Sequence, residues 1–557
     1  MARGGRICSN TRPRARVGPG PPPSTAARPA SGERTTNGPR LLRTILALRF
    51  LPGALLALLI VASATAQTPK LNKRPYKDTQ NGYRFLTPAD WDATPVKPEE
   101  KGLGLLYQMD GGRFGEVELY VFKLPPKGKD GERAKLESLL TLLFSKSTGF
   151  KKDDILEDEV EEISDLEARH RRWEGRYTYI DTWTFPLPEY DVALIYLVGM
   201  DHKHTKRWLQ IFRRSARSFD VMEAEGTGEV AATSSYEDQL AFHQAEAERT
   251  PGWRALPTRS KNFIIKTSSD DDGFLKEVIE RLELSRKLYE RDFPPKGEFN
   301  HVSVVRVCGS RAEFQKYGGV GGGVAGYFNP GTIELVLYDA KETNRNATYA
   351  VMSHEAFHQY CYFLFEQSEA HRWFDEGHGD YYGGAEFKRG RAEITPQMPG
   401  GLDRLGVIRE MVRQGTYAPI REHLNYSHRE WQNQGPTNVS CYAQSWSIVY
   451  MLREGTLGNV SRKYWRKEYA NIIPAYVKTL YEGFRDAYED QRKEDLAEAQ
   501  EKAGGKGRSV ALSNKRRPLP PEVKARIWEE ATAAAWSAID FEEFEKSWTE
   551  YVIKGLK

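Results

Sequence analysis

Apolar residues alternate with polar ones in short runs through the early chain, then recur at spacings of three and four through most of the rest. The alternation begins at Gly82-Tyr83-Arg84-Phe85 and breaks at Thr87-Pro88. Residues 116–122 read as a strand, 132–145 as a helix, and 170–174, 177–185, 192–199 and 208–212 as further strands. One helix among many strands predicts an α+β domain over residues 67–222. Residues 223–247 are rich in Ala, Glu, Gly and Ser and predict a linker with a short helix. A second domain, 248–480, opens with a strand at 262–266 and a helix at 272–291 carrying Phe274, Val278, Leu282 and Leu288 on one face. A strand at 302–307, a glycine-rich loop at 317–326 and a strand at 332–338 follow. Tyr349, Met352, Ala356, Tyr360 and Phe363 then predict a helix, with Asn346 as its N-cap. After Tyr381-Tyr382 the pattern is helical, including 442–452 and a charged stretch at 484–503. Residues 481–557 form a helical extension whose Trp528, Trp536, Phe541, Phe544 and Trp548 read as core.

Composition changes this picture at the N-terminus. The 557 residues are 39% hydrophobic and 11% aromatic, enough for packed domains rather than disorder. The net charge of +4 is set by residues 1–66, which hold ten arginines against one acidic residue, Glu33. The remainder is mildly acidic and gives no footprint for nucleic acid. Residues 1–40 read as a disordered basic leader. After Arg49 comes an apolar run from Phe50 through Ala62, then Ala64-Thr65-Ala66 before Gln67. That is a signal-peptide pattern with cleavage near Ala66, so the product is expected to be exported, periplasmic or extracellular. An uncleaved leader acting as an anchor is the alternative; no stable span is expected after cleavage. Cys8 leaves with the leader. Cys308, Cys361 and Cys441 remain, as one pair plus a thiol or as three buried thiols, with Cys361–Cys441 the conceivable disulfide.

The candidate chemistry lies in Ser353-His354-Glu355-Ala356-Phe357-His358-Gln359. Helix geometry puts His354 and His358 one turn apart on one face, so both imidazoles reach one ion. Glu355 is rotated off that axis, toward a water. Glu376 follows His358 after seventeen residues, room for the rest of one helix, a turn and the start of another. Two histidines, one glutamate and an open fourth position form the set that catalytic Zn²⁺ needs. Asp380 lies four residues after Glu376, on the same face, where it can accept a hydrogen bond from the outer nitrogen of a ligating histidine. The competing reading is an amphipathic helix pair with ordinary polar-face histidines.

His-Glu-x-x-His with a downstream Glu in Trp373-Phe374-Asp375-Glu376-Gly377 resembles the gluzincin, or peptidase MA-like, zinc metallopeptidases, among them thermolysin and aminopeptidase N. The closest likeness is to uncharacterised bacterial members, over roughly residues 250 to 480; the Gly-Ala-Met-Glu-Asn exopeptidase signature is absent. The resemblance implies a mixed-sheet lobe and a helical lobe carrying the zinc site. It implies His354, His358 and Glu376 as ligands and Glu355 as general base toward a metal-activated water. Tyr442, in Tyr442-Ala443-Gln444-Ser445-Trp446, matches the helix from which a tyrosine assists catalysis in such proteins. A donor of that kind is worth roughly 3–4 kcal/mol. His378, His423 and His428 are rival donors, and a core tyrosine is the alternative for Tyr442. Residues 324–328 or 332–338 are candidates for an edge strand that pairs with an extended peptide or protein substrate. Tyr83-Arg84-Phe85 through Pro88 and Trp91, with Ser215-Ala216-Arg217-Ser218-Phe219, is similar to the α/β sandwich domains related to the photosystem protein PsbP.

The expected function is therefore zinc-dependent peptide hydrolysis. Two rivals stand beside it: a zinc-containing binding or scaffold protein, and a zinc hydrolase of a non-peptide bond. Glu355 argues against the scaffold, because a structural site needs no general base.

Overall fold

The computed structural model describes residues 68–557 except for 98–99, 101–102, 125–135, 189, 224–234, 297–298, 300, 319–320, 322–323, 389–390, 398–402, 434–438, 503–516 and 557. The leader and its cleavage site lie outside the described residues, as do parts of the glycine-rich loop. The architecture is α+β, with several sheets and a helical lobe.

Strands β1 (Tyr76–Asp78), β2 (Tyr83–Phe85), β3 (Asp92–Ala93), β4 (Leu105–Asp110) and β5 (Val117–Leu124) come first, then helix α1 (Leu136–Phe144). Next are β6 (Ile155–Ile163), β7 (Leu166–Glu174), β8 (Thr178–Pro186), β9 (Asp191–Gly199), α2 (Thr205–Ala216) and β10 (Asp220–Val221). Seven strands form an antiparallel sheet in the order β3-β4-β5-β9-β8-β7-β6, and β10 joins β1 and β2 in a small one. Helix α1 packs on the face carrying Ala193, Ile195 and Leu197, and α2 on the face carrying Val192, Leu194 and Tyr196. Covered on both sides, β9 is apolar from Val192 through Val198, as a strand buried on both faces tends to be.

One expected strand is a helix. Residues 208–212 lie within α2, where Trp208, Ile211, Phe212 and Ala216 are buried. Their spacing of three and four is helical, and a window of five residues hides it. Strand β6 escapes the pattern for the opposite reason: it is an edge strand, and its polar run Glu157-Asp158-Glu159 is mostly solvent-facing.

Helix α3 (Tyr236–Glu248) occupies the second half of the expected linker, capped by Ser235, which accepts from the Asp238 amide. After it come β11 (Arg254–Pro257), β12 (Phe263–Thr267), α4 (Asp272–Asp292), β13 (Ser303–Cys308), α5 (Arg311–Gly318), β14 (Gly326–Asn329) and β15 (Glu334–Tyr338). The sheet order is β11-β12-β13-β15-β14, parallel in its centre and antiparallel at both edges. Among the described residues β14 is an edge of this sheet, whereas β15, the other candidate, lies between β13 and β14.

The chain continues as α6 (Arg345–Leu364), α7 (Arg372–Gly383), the hairpin β16 (Ala385–Lys388) and β17 (Arg391–Ile394), and α8 (Arg404–Gln414). Then come α9 (Ile420–His423), α10 (His428–Gln432), α11 (Val439–Thr456), α12 (Ile472–Lys502), α13 (Pro521–Trp536) and α14 (Phe541–Glu550). One hydrophobic core runs from Ile265 and Val305 of the sheet through Met352, Trp373 and Trp446 to Trp536 and Trp548. The C-terminal helices are therefore part of the packing around α6 and α7. Among the described residues no helix is long and apolar enough to cross a membrane.

Candidate metal centre

Helix α6 begins at Asn344, whose extended backbone and side chain cap the Asn346 amide at 3.0 Å. Asn346, the expected cap, is already helical and is the residue being capped. The helix stops at Phe365, where Glu366 and Gln367 adopt left-handed φ angles of 57° and 60°. Two such residues in succession reverse the chain and bring α7 back across α6.

The fit of α7 depends on two glycines. A Cβ on Gly379 would stand 2.9 Å from the imidazole of His354, and one on Gly377 would stand 2.8 Å from the carbonyl oxygen of Ser445 on α11. Without side chains there, α7 wedges between α6 and α11, and Glu376 and Asp380 reach the histidines.

The three expected ligands converge. His354 Nε2 and His358 Nε2 are 2.9 Å apart, and Glu376 Oε2 lies 3.3 Å from the first and 3.5 Å from the second. Donors held at about 2.0–2.1 Å around one tetrahedral ion stand roughly 3.3 Å from each other, so the triangle fits zinc. The donor chemistry fits as well, because two imidazoles and one carboxylate make a catalytic zinc set.

Each outer nitrogen has a carboxylate beside it. His354 Nδ1 lies 3.1 Å from Asp380 Oδ1, the expected contact. His358 Nδ1 lies 3.0 Å from Asp375 Oδ2, a partner that the spacing argument missed. The first contact suits a ring with Nε2 facing inward, whereas the second places the Asp375 charge beside His358 without a hydrogen bond in line. Arg404 Nε donates to Asp380 Oδ2 at 2.6 Å, and Arg372 donates to Glu376 Oε1 at 3.0 Å. Arg372 could have been found from its i,i+4 relation to Glu376. Arg404 carries no local signal, being on another helix.

Glu355 also lies within 4.8 Å of the two histidines. It is oriented differently from Glu376: its Oε2 accepts from the Phe328 amide of β14 at 2.9 Å. Burial pushes its carboxyl above the usual range, with the charges of His354 and His358 opposing. Burial acts the same way on Glu376, but hydrogen bonds from His354 and His358 overcome it and hold that carboxyl well below the usual range. The two carboxyls are thus shifted in opposite directions.

Tyr442 stands on the other side, its hydroxyl 3.4 Å from Glu376 Oε1. The nearby Glu376 charge, then burial, raise its pKa, so the phenol keeps its proton. Of the rival donors, His378 is buried against Phe374, and His423 is buried with Nε2 2.7 Å from Ser445 Oγ. Only His428 joins the cleft wall, accepting from Arg372 Nε at 3.1 Å. Cys308, Cys361 and Cys441 are all buried free thiols, so the conceivable Cys361–Cys441 disulfide is not formed.

The centre opens into a cavity of about 470 Å³ walled by Tyr327 and Phe328 of β14, Tyr442, and Trp528 and Thr532 of α13. Trp528, expected in the core, is half-buried at this wall. The volume suits a small ligand or several residues of a peptide.

No family model and no curated protein matches the chain. Among solved structures it is similar to the solution structure of cyanobacterial PsbP (CyanoP) from Synechocystis sp. PCC 6803, at 14% identity and a TM-score of 0.22, over 29% of this chain and 98% of that one.

Proposed function

We propose that this chain is a zinc-dependent hydrolase of peptide bonds, of the gluzincin kind, exported by its N-terminal leader. The observation that carries the reading is the triangle of His354 Nε2, His358 Nε2 and Glu376 Oε2, with an aspartate carboxylate within 3.1 Å of each outer imidazole nitrogen. His354, His358 and Glu376 would hold the ion. Zinc bound there supplies Lewis acidity, which makes water nucleophilic near neutral pH and polarises a carbonyl. Glu355, raised by burial and held by the Phe328 amide, takes the proton from water and returns it to the leaving nitrogen. The Tyr442 hydroxyl donates to the oxygen that gains negative charge. An extended substrate adds to the open edge of β14, whose Phe328 amide faces the site rather than β15.

The test is cleavage of a peptide library, read by mass spectrometry, with ester and glycan substrates in parallel. Glu355→Gln should keep one zinc per chain and lower turnover by roughly 10²–10⁴-fold. Near-full activity in that variant would remove Glu355 from its role. Tyr442→Phe should keep zinc and slow turnover by about 10²–10³-fold. Cleavage of esters or glycans alone would move the assignment to another bond. A peptide inhibitor crystallised on any edge other than β14 would remove the strand-pairing step, and N-terminal sequencing of secreted protein checks export.

A further inference from the structure

Glu376 offers two oxygens, and they have different partners. Oε2 faces His354 Nε2 at 3.3 Å and His358 Nε2 at 3.5 Å, on the side where an ion would be held. Oε1 accepts from Arg372 Nη1 at 3.0 Å, and the Tyr442 hydroxyl stands 3.4 Å from the same oxygen. That phenol contact is long for an O–H donor, so the firm hold on Oε1 comes from Arg372. A hydrogen bond between charged partners is also about twice as strong as one between neutral partners.

Arg372 is placed for this by a local rule and by one tertiary contact. It opens α7 four residues before Glu376, so the two share a helix face. Its Nε donates to His428 Nδ1 at 3.1 Å, which fixes the plane of the guanidinium. His428 is set in turn by the start of α10, where Ser427 and Glu430 form a reciprocal capping box. Among the described residues that line the cavity, Arg372 is the only arginine or lysine. Arg404, whose guanidinium lies over the Tyr442 ring, is bound to both oxygens of Asp380.

A carboxylate binds zinc through one oxygen or through both. With one, His354, His358 and Glu376 supply three donors and leave the fourth position open, as a catalytic site requires. With both, four protein donors close the sphere, as in a structural site. We propose that Arg372 is a positioning residue: by holding Oε1 it keeps Glu376 on the ion through Oε2 alone, and so keeps the fourth position open. The inference rests on the zinc-hydrolase reading of the same centre.

The test uses the full-length protein and Arg372→Met, which keeps an unbranched stem and removes the donors. Circular dichroism and metal content are recorded for both proteins. Azide, titrated into the cobalt-loaded protein and followed by visible absorption, reports the open position. Arg372→Met should keep one zinc per chain, with an affinity by chelator competition no weaker than wild type, and should bind azide at least about tenfold more weakly. Weaker zinc, the result expected of an arginine that only props up Glu376, overturns the proposal, and so does unchanged azide affinity. Where Arg372→Met does not fold, the crystal structure of zinc-loaded wild type decides. Oε2 alone at about 2.0–2.2 Å from the ion supports the role, and both Glu376 oxygens in contact with the ion overturn it. Peptide cleavage separates the two readings. Weakened azide binding in the variant, with no peptide cleaved by wild type, overturns the peptidase reading alone. Cleavage by Arg372→Met at the wild-type rate overturns the positioning role alone.

Discussion

His170 and His354 are each held by a buried aspartate that an arginine holds in turn. In the N-terminal sheet, His170 Nε2 lies 2.8 Å from Asp181 Oδ1, and Arg172 Nε donates to the same oxygen at 2.9 Å. In the metal centre, His354 Nδ1 lies 3.1 Å from Asp380 Oδ1, and Arg404 holds the other oxygen. The difference is what the second nitrogen faces. That of His170 looks toward Glu157 at 3.6 Å, and the ring lies flat on Trp183 with centroids 4.2 Å apart. That of His354 looks at His358 and Glu376. Strand register accounts for the first: His170 is opposite Trp183 and Arg172 opposite Asp181, and no second imidazole arrives. Helix periodicity accounts for the second, since a residue four positions on must share the face. An aspartate-held imidazole is a fastener in one place and a candidate ligand in the other, by geometry rather than by residue type.

The strongest way to break this contrast is to move one ring. Gly379→Val should push His354 off its position, because even a Cβ would approach that ring to 2.9 Å. Zinc affinity should fall by on the order of 100-fold or more while the N-terminal sheet keeps its fold, read by metal content and circular dichroism. Next in size are the aspartates. Asp181→Asn should leave zinc affinity unchanged and cost about 3–5 kcal/mol of stability, since it strands the fully buried His170 and leaves Arg172 with Glu157 as its carboxylate partner. Asp375→Asn and Asp380→Asn should instead lower zinc affinity by about 10–100-fold, measured by chelator competition. Equal effects of Asp181 and Asp380 on zinc would erase the distinction.

The smallest effect concerns pH. Burial lowers His371 to about 4 and His423 to about 3. Both folded values lie below the ordinary value near 6.5, so the unfolded chain takes up protons first. Stability from these residues is complete above about pH 6.5 and is lost as pH falls through the folded values. Urea unfolding of metal-free protein should lose stability between pH 7 and pH 5 through these residues, and His423→Gln should make that pH dependence shallower. An identical slope in the variant would show that His423 titrates normally in the folded protein.

Much of the centre was legible in the chain because its rules are local. His354 and His358 are four residues apart, Glu376 and Asp380 are four apart, and one turn of helix spans each pair. The α+β class followed from the change of apolar period. A window of five residues, 208–212, hides the helical spacing of α2, and two asparagines at the start of α6 both offer a capping side chain, of which Asn344 is the one that caps. Asp375 was overlooked because a residue next to a ligand in sequence points about 100° away from it on a helix. It is useful here because α6 lies on that side.

The sequence by itself determined which side chains can share one ion, since a helix repeats every 3.6 residues wherever it is buried. Only the tertiary structure decided that β14 rather than β15 is the open edge, that Arg404 backs Asp380, and that α13 walls the cleft with Trp528 and Thr532. These are pairings between segments distant in sequence. Their geometry is set by how one core packs from Ile265 to Trp548, and no local spacing encodes it.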